Sequence, residues 1–303
     1  MERSGQTADD DAHALTHSTP AGFKRPGSLD EALSVLSSGS WTILAGGTDV
    51  YPAAGDRPLS GNILDLDNIE ELRAISERDE AIVIGAMTTW TDIIHADLPP
   101  AFDALKQAAR EVGSVQIQNR ATIAGNLCNA SPAADGVPAL LILDAMVELR
   151  SKSTRRLLPL ADFILGNRVT ALKAGELMTA IHVPRQRTGG ASRFIKLGAR
   201  RYLVISIAMA AVRLETGRDG RITQAAIALG ACSQTAVRLS AFELALIGQA
   251  AGADLDALLD DTHLAAIAPI DDIRATAAYR RHAAREIIVR ALRELANDER
   301  PLP

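Results

Sequence analysis

The sequence predicts an α+β protein built as two modules in succession, and three observations carry that reading. Short apolar segments ending in glycine loops alternate with amphipathic stretches through the first part of the chain. A glycine pair, Gly189 and Gly190, sits among basic and polar residues and marks the best linker candidate. Beyond it come strand-rich segments and then helical ones.

Each element has a local reason. RPGSLDEALSVLSSGS carries a helix signature: Ser28 can cap, Glu31 stands three residues on as in a capping box, and Leu29, Leu33 and Leu36 fall at helical spacing. WTILAGG is a short apolar strand ending in a glycine turn, and NILDLDNI is a second strand with Asn62 and Asp67 at its ends. AIVIGAMTTWTDII begins as a strand and runs through Thr88 and Thr89 into a helix start. PPAFDALKQAAREV is an amphipathic helix with Phe102, Leu105, Ala109 and Val112 on one face. PALLILDAMVELRSK reads as a helix giving way to a strand, and ELMTAIHVP as a strand stopped by Pro184. After the glycine pair, RFIKLGARRYLVISIAMAAVRLE and ITQAAIALGAC are strand-rich or mixed, separated by the turn GRDG. From Ser240 onward AFELALIGQ, LDALLDD and IRATAAYRRHAAREIIVRALREL are helical.

A chain of 303 residues with 47% apolar content has ample material for packed cores. Acidic residues outnumber basic ones 37 to 32, for a formal charge of -5, which argues against nucleic acid as a partner. The longest apolar run, residues 203–212, is about half of the roughly 20 residues a spanning helix needs, so no membrane span is expected. Residues 1–20 are polar, lack the apolar core of a secretory signal, and read as a disordered tail. Two cysteines, Cys128 and Cys232, are too few for a disulfide framework or an iron-sulfur site; the expected compartment is the cytoplasm.

Two glycine-bearing stretches carry the chemistry: ILAGGTDV (residues 43–50) and ATIAGNLCNASPAAD (residues 121–135). A diphosphate needs several N–H donors at close range, and glycine lets a backbone wrap it without a Cβ clash. Gly46 and Gly47 follow a strand, Thr48 adds a hydroxyl, and Asp49 is expected to bond amides of its own turn. In the second stretch Thr122, Gly125 and Asn126 offer N–H and side-chain donors, and Asp135 is a free carboxylate suited to ribose hydroxyls. Neither stretch is a Walker A loop or a G-x-G-x-x-G fingerprint. Taken singly, the first stretch reads as an ordinary strand-to-helix turn, and Asp135 reads as a ribose ligand or a loop cap. Cys128 reads as a small buried thiol, and the histidines show no metal-binding spacing. Arg274, Arg280, Arg281, Arg285, Arg290 and Arg293 read as a solvated face of the last helix, with a subunit contact as the alternative.

ILAGGTDV and QNRATIAGNLCNASPAAD resemble the two flavin-binding motifs of the FAD-binding medium subunit of the xanthine dehydrogenase and carbon monoxide dehydrogenase family of molybdenum hydroxylases. The similarity extends through FIKLGARR, IALGACSQTAVR and PIDDIRATAAYRRHAA, covering roughly residue 23 to the C-terminus. It implies a two-subdomain FAD-binding domain of the vanillyl-alcohol-oxidase type at residues 21–188, with subdomains at about 21–75 and 76–188. A C-terminal domain of a small antiparallel sheet with a helical bundle follows at 191–303. By resemblance, Leu44, Ala45, Gly46, Gly47, Thr48 and Asp49 bind the FAD diphosphate together with Thr122, Ile123, Ala124, Gly125 and Asn126. Asp135 binds the adenosine part, and Met178 and Lys196 match positions by the flavin ring, where a lysine would stabilise reduced flavin.

The chain departs from the family pattern in two places. Ala124 replaces the first glycine of the common TIGGN, so that position cannot depend on a glycine-only conformation. Val204 stands where many members carry an acidic residue, near the face where the electron acceptor approaches; Tyr202 either shields the ring or is a plain strand aromatic.

The implied function is that of an electron-transferring FAD subunit, an oxidoreductase component. Substrate is oxidised at a molybdenum cofactor in a large subunit, and electrons pass through a small subunit with 2Fe-2S clusters to this FAD and on to NAD+, oxygen, a quinone or a cytochrome. The implied assembly is a dimer of heterotrimers. The FAD is expected to be non-covalent, because neither motif offers a histidine and its cysteine falls past the phosphate-contacting part. Two other readings compete: a self-sufficient FAD-dependent oxidase or dehydrogenase of the same fold, and a nucleotide-binding assembly protein with a degenerate flavin site.

Overall fold

The computed structural model describes residues 22–201 and 203–296. The tail at 1–20 and Tyr202 therefore lie outside the described residues. Among the described residues, three main sheets succeed one another along the chain, beside a two-stranded one that pairs Ile164–Gly166 with Val169–Thr170.

The first is a parallel sheet in which Ile63–Asp65 lies between Phe23–Lys24 and Thr42–Leu44. The helix Leu29–Leu36 buries Leu29, Leu33 and Leu36 against it, as its spacing predicts. Ser28 accepts from the Glu31 N–H, but the Glu31 carboxylate reaches the Gly27 N–H instead of completing the box on Ser28.

The second sheet is antiparallel. Leu177–Pro184 runs through its centre between Ala81–Gly85 and Met146–Arg150, with Ile75–Glu77 and Arg155–Pro159 at the edges. The expected subdomain boundary at 75/76 thus falls inside an edge strand. One face of this sheet is covered by helices, among them Asp103–Glu111, Ile123–Asn129 and Gly136–Leu141, which share one core with Ile82, Ile84, Val147 and Ile181.

The third sheet, also antiparallel, orders Ala191–Leu197, Ala208–Thr216, Ile222–Gly230 and Val237–Arg238 in sequence. Its two faces belong to two different cores, because side chains alternate along a strand. Phe194, Met209, Ala211 and Ala228 join the core of the second sheet. Ala208, Ala210, Val212 and Leu214 pack instead with Phe242, Ala284 and Ile288 of the C-terminal helices, which form a layer on that face.

Two expectations need correction. The glycine pair is a tight turn and not a loose linker: Gly190 has φ +77°, and a Cβ there would stand 2.1 Å from the Leu214 carbonyl oxygen. The buried Arg213 guanidinium donates to the carbonyls of Gly189 and Ile142, tying the turn to the preceding domain. The arginines of the helix Ala277–Ala296 are also not simply a solvated face. Arg280 is 3% exposed and donates to Ile207 O, Ala231 O and Asp272, while Arg281 and Arg285 donate to carbonyls at Leu264, Ile267 and Leu259. Their charge satisfies loop carbonyls that have no strand partner.

Candidate functional site

A cleft of about 350 Å³ opens where the first and second sheets meet, and both glycine stretches form its walls. Its volume is at the lower end of the range for small-molecule and cofactor sites. The first stretch leaves the strand Thr42–Leu44 and turns at Gly46 and Gly47 into the short helix Val50–Ala54. Gly46 lies so close to the second stretch that a Cβ would sit 1.9 Å from the Arg120 carbonyl oxygen; Gly47 has φ +75°. Both glycines are therefore required, one by contact and one by backbone conformation. Among the described residues, no protein acceptor takes the N–H groups of Gly47, Thr48 or Asp49.

The second stretch is built differently. Thr122 caps the helix Ile123–Asn129, its hydroxyl accepting from the Gly125 N–H at 3.1 Å. The N–H groups of Ile123, Ala124 and Asn126 go to Thr88 O, Ala86 O and Thr122 O at 2.9, 3.3 and 3.0 Å. Of the backbone donors expected of this stretch, those of Gly125 and Asn126 are thus already engaged within the protein, while the Thr122 N–H has no acceptor among the described residues. Side-chain chemistry remains as well: Asn126 Oδ1 is buried with no partner among the described residues, as is Nε1 of Trp90, which shares its neighbour Gly136. Ala124 lies inside the helix, which is why it stands in for glycine without strain.

Of the expected site residues, Ala45, Gly46, Gly47, Thr48, Asp49, Thr122, Ala124, Gly125, Asn126 and Met178 line the cleft. Leu44 and Ile123 are buried behind it. Asp49 does not cap its own turn; its carboxylate accepts from Asn129 Nδ2 at 3.0 Å, and Arg168 Nη1 bonds Asn129 Oδ1 in turn. That chain links the two stretches at the rim.

Asp135 and Lys196 are not among the lining residues. They form a buried ion pair, Nζ to Oδ2 at 2.6 Å, with side chains 8% and 6% exposed. Ser206 donates to the other carboxylate oxygen at 2.7 Å, and Lys196 also donates to Glu111 O. Asp135 is therefore not the free carboxylate that the sequence suggested. Burial pushes its carboxyl upward, with Lys196 and Ser206 pulling the other way. The pair stands just behind the wall: the next residue after Glu111, Val112, faces the cleft, and Gly136 abuts Trp90 and Asn126.

Cys128 is exposed on the cleft wall, not buried as expected. Protein packed around it still desolvates the thiolate and pushes the thiol up to about 12. Sequence reasoning also missed Met87, Trp90, Leu172 and Leu177, which give the cleft its apolar side. One signal was available for Trp90, one of only two tryptophans, placed directly after Thr88 and Thr89 at a helix start.

The residues fit a dinucleotide flavin by their chemistry. No Lys or Arg lines the cleft among the described residues, so a diphosphate would be held by the open N–H groups of residues 47–49, an arrangement suited to an anion. The apolar walls of Trp90, Met178 and Leu177 suit a flat aromatic ring.

This fold and cleft define a flavin-binding subunit of the molybdopterin dehydrogenases, and comparison with known proteins gives the same class. Residues 19–186 match the FAD binding domain in molybdopterin dehydrogenase, and residues 193–295 match the CO dehydrogenase flavoprotein C-terminal domain. The chain belongs to this family of oxidoreductase FAD subunits. It is 35% identical over 234 residues to the nicotinate dehydrogenase FAD-subunit of Eubacterium barkeri, covering 75% of this chain and 79% of that one. It is 31% identical to the glyceraldehyde dehydrogenase medium chain of Sulfolobus acidocaldarius, covering 90% and 98%. Reconstituted CO dehydrogenase from Oligotropha carboxidovorans superimposes with a TM-score of 0.82 at 29% identity, covering 92% of this chain and 98% of that one.

Proposed function

We propose that this chain is the FAD-binding electron-transfer subunit of a molybdenum hydroxylase complex. Its expected partners are a large subunit with the molybdenum cofactor and a small subunit with 2Fe-2S clusters, assembled as a dimer of heterotrimers in the cytoplasm. Bound FAD would supply the step between one-electron iron-sulfur donors and an external acceptor such as NAD+, oxygen, a quinone or a cytochrome. The observation that carries this reading is the meeting of two glycine stretches around one cleft whose lining combines N–H groups without a protein acceptor and apolar side chains. The family match and the medium-chain relatives support it.

The chain's own residues divide the work. Gly47, Thr48 and Asp49 bind the diphosphate, Asn126 and Thr122 border it, and Met178 packs on the ring with the buried Trp90 behind it. Asp135 and Lys196 hold the wall in place from behind and place a neutralised cation near the cleft. We assign residues 21–188 to the FAD-binding domain and 191–303 to the C-terminal domain. No helix among the described residues is long and apolar enough to cross a membrane.

The test is purification of the full chain and of its native complex. A yellow protein that releases FAD into the supernatant on acid precipitation supports a non-covalent flavin. Co-purification with a molybdenum protein and a cysteine-rich iron-sulfur protein supports the assembly. A colourless protein, or a yellow homomer turning over an organic substrate by itself, overturns the reading.

A further inference from the structure

Met178 reaches the cleft only because its strand breaks step. In Leu177–Pro184, Ile181 and Val183 face the inner core, so strict alternation would put Thr179 inward and Met178 outward. The pairing shows otherwise: Ala180 opposes Glu148 and Met178 opposes Leu149, which leaves Thr179 as the extra residue of a β-bulge. The one-residue shift turns Met178 inward, 2% exposed, onto the cleft wall.

The bulge is held from the outer face of the sheet. The Thr179 hydroxyl donates to Glu148 Oε1 at 2.8 Å, and the other oxygen of Glu148 receives Arg155 Nη2 at 2.7 Å and His182 Nε2 at 3.0 Å. Thr179 and Glu148 are 5% and 8% exposed. From the bulge the bonding runs inward. Thr179 O accepts from the Ala86 N–H at 3.0 Å, and Ala86 O accepts from the Ala124 N–H at 3.3 Å, inside the second glycine stretch. Ala86, Ala124 and Met178 all line the cleft.

We propose that Glu148 and Thr179 are positioning residues for the flavin: Glu148 fixes the Thr179 bulge, and the bulge sets both the Met178 wall and the second glycine stretch. Neither side chain is among the lining residues, so they act through the backbone, as partners behind a ligand shell do. The inference rests on the flavin reading of the cleft.

Thr179→Val keeps the shape of the side chain and removes the hydroxyl; Thr179→Ser restores it. FAD is titrated into the flavin-stripped full chain, following flavin fluorescence, the visible absorption bands of the bound flavin and the thermal midpoint without flavin. Expected for Thr179→Val is a Kd raised about tenfold with altered flavin bands, and for Thr179→Ser a return to within about twofold of the parent. An unchanged Kd and spectrum in Thr179→Val overturns the proposal, as does a loss that Thr179→Ser does not repair. Should Thr179→Val fail to fold, Glu148→Met, which takes the acceptor away from the Thr179 hydroxyl, is read by the same Kd and spectrum: a raised Kd with altered bands is expected, and an unchanged Kd and spectrum overturns the proposal. If the parent chain itself takes up no FAD, the flavin reading has failed instead of the positioning one.

Discussion

The two glycine stretches look alike in sequence and do opposite things with their backbones. The first leaves the N–H groups of Gly47, Thr48 and Asp49, all three cleft-lining residues, without a protein acceptor among the described residues. The second spends those of Ile123, Ala124, Gly125 and Asn126 on Thr88, Ala86 and Thr122, becoming a capped helix packed into the core. On the proposed reading one is a cradle and the other the wall that the cradle leans on, and they touch where Gly46 meets the Arg120 carbonyl. Small residues signal close approach, and what approaches can be a ligand in one place and the protein itself in another.

Substitutions can break this comparison. Gly46→Ala puts a methyl 1.9 Å from a backbone oxygen that has no flexible end to move. It should separate the two stretches, costing about 1–3 kcal/mol of stability, and the purified variant should lose flavin on gel filtration. Retention of flavin by that variant would show that the contact is not needed. Thr122→Ala removes only a helix cap and should cost about 1 kcal/mol in denaturant unfolding, with flavin retained but bound more weakly. If it lost flavin as fully as Gly46→Ala, the second stretch would be a cradle too. Ala124→Gly should cost about 0.5–1 kcal/mol as a glycine in a helix and leave the flavin Kd unchanged, since the N–H bond to Ala86 O is kept.

The smallest effect at neutral pH concerns acid. The bond from His182, then those from Arg155 and Thr179, hold Glu148 below the usual carboxylate range despite partial burial. With its folded-state value depressed, its stabilising contribution is complete above the ordinary glutamate value of about 4.3 and fades as pH falls below it. Glu148→Gln should therefore flatten the acid limb of a plot of unfolding free energy against pH. An acid limb identical to the parent's would show that Glu148 does not anchor the wall.

Much of the fold was legible because its signals are local. Strand ends before glycine, the Ser28 cap and the periodicity of residues 103–111 each depend on neighbours within a few positions. Most of the cleft could be anticipated from its two motifs. The failures share a cause, which is that the deciding partner is distant in sequence. Asp135 looks free until Lys196, 61 residues on, is placed beside it. Asp49 looks like a cap until Asn129 arrives from 80 residues away. The Thr179 bulge is invisible in LMTAIHVP because a mostly apolar run shows no alternation to be interrupted. Arg280 is hidden among arginines spread along its helix, and only the carbonyls of Ile207 and Ala231 reveal it as interior.

The strand Ala208–Thr216 has a consequence for how this protein can change over time. Met209 and Ala211 complete the interior of the flavin domain, while Ala208, Ala210 and Val212 complete that of the C-terminal domain. A recombination that exchanged the second domain for a relative's would import alternate residues into a host interior they had not adapted to. The two segments, although matched by separate family models at 19–186 and 193–295, thus share the side chains of one strand between their two interiors. A chimera joined at Gly190 should regain its parent's cooperativity only when Met209 and Ala211 travel with the first domain.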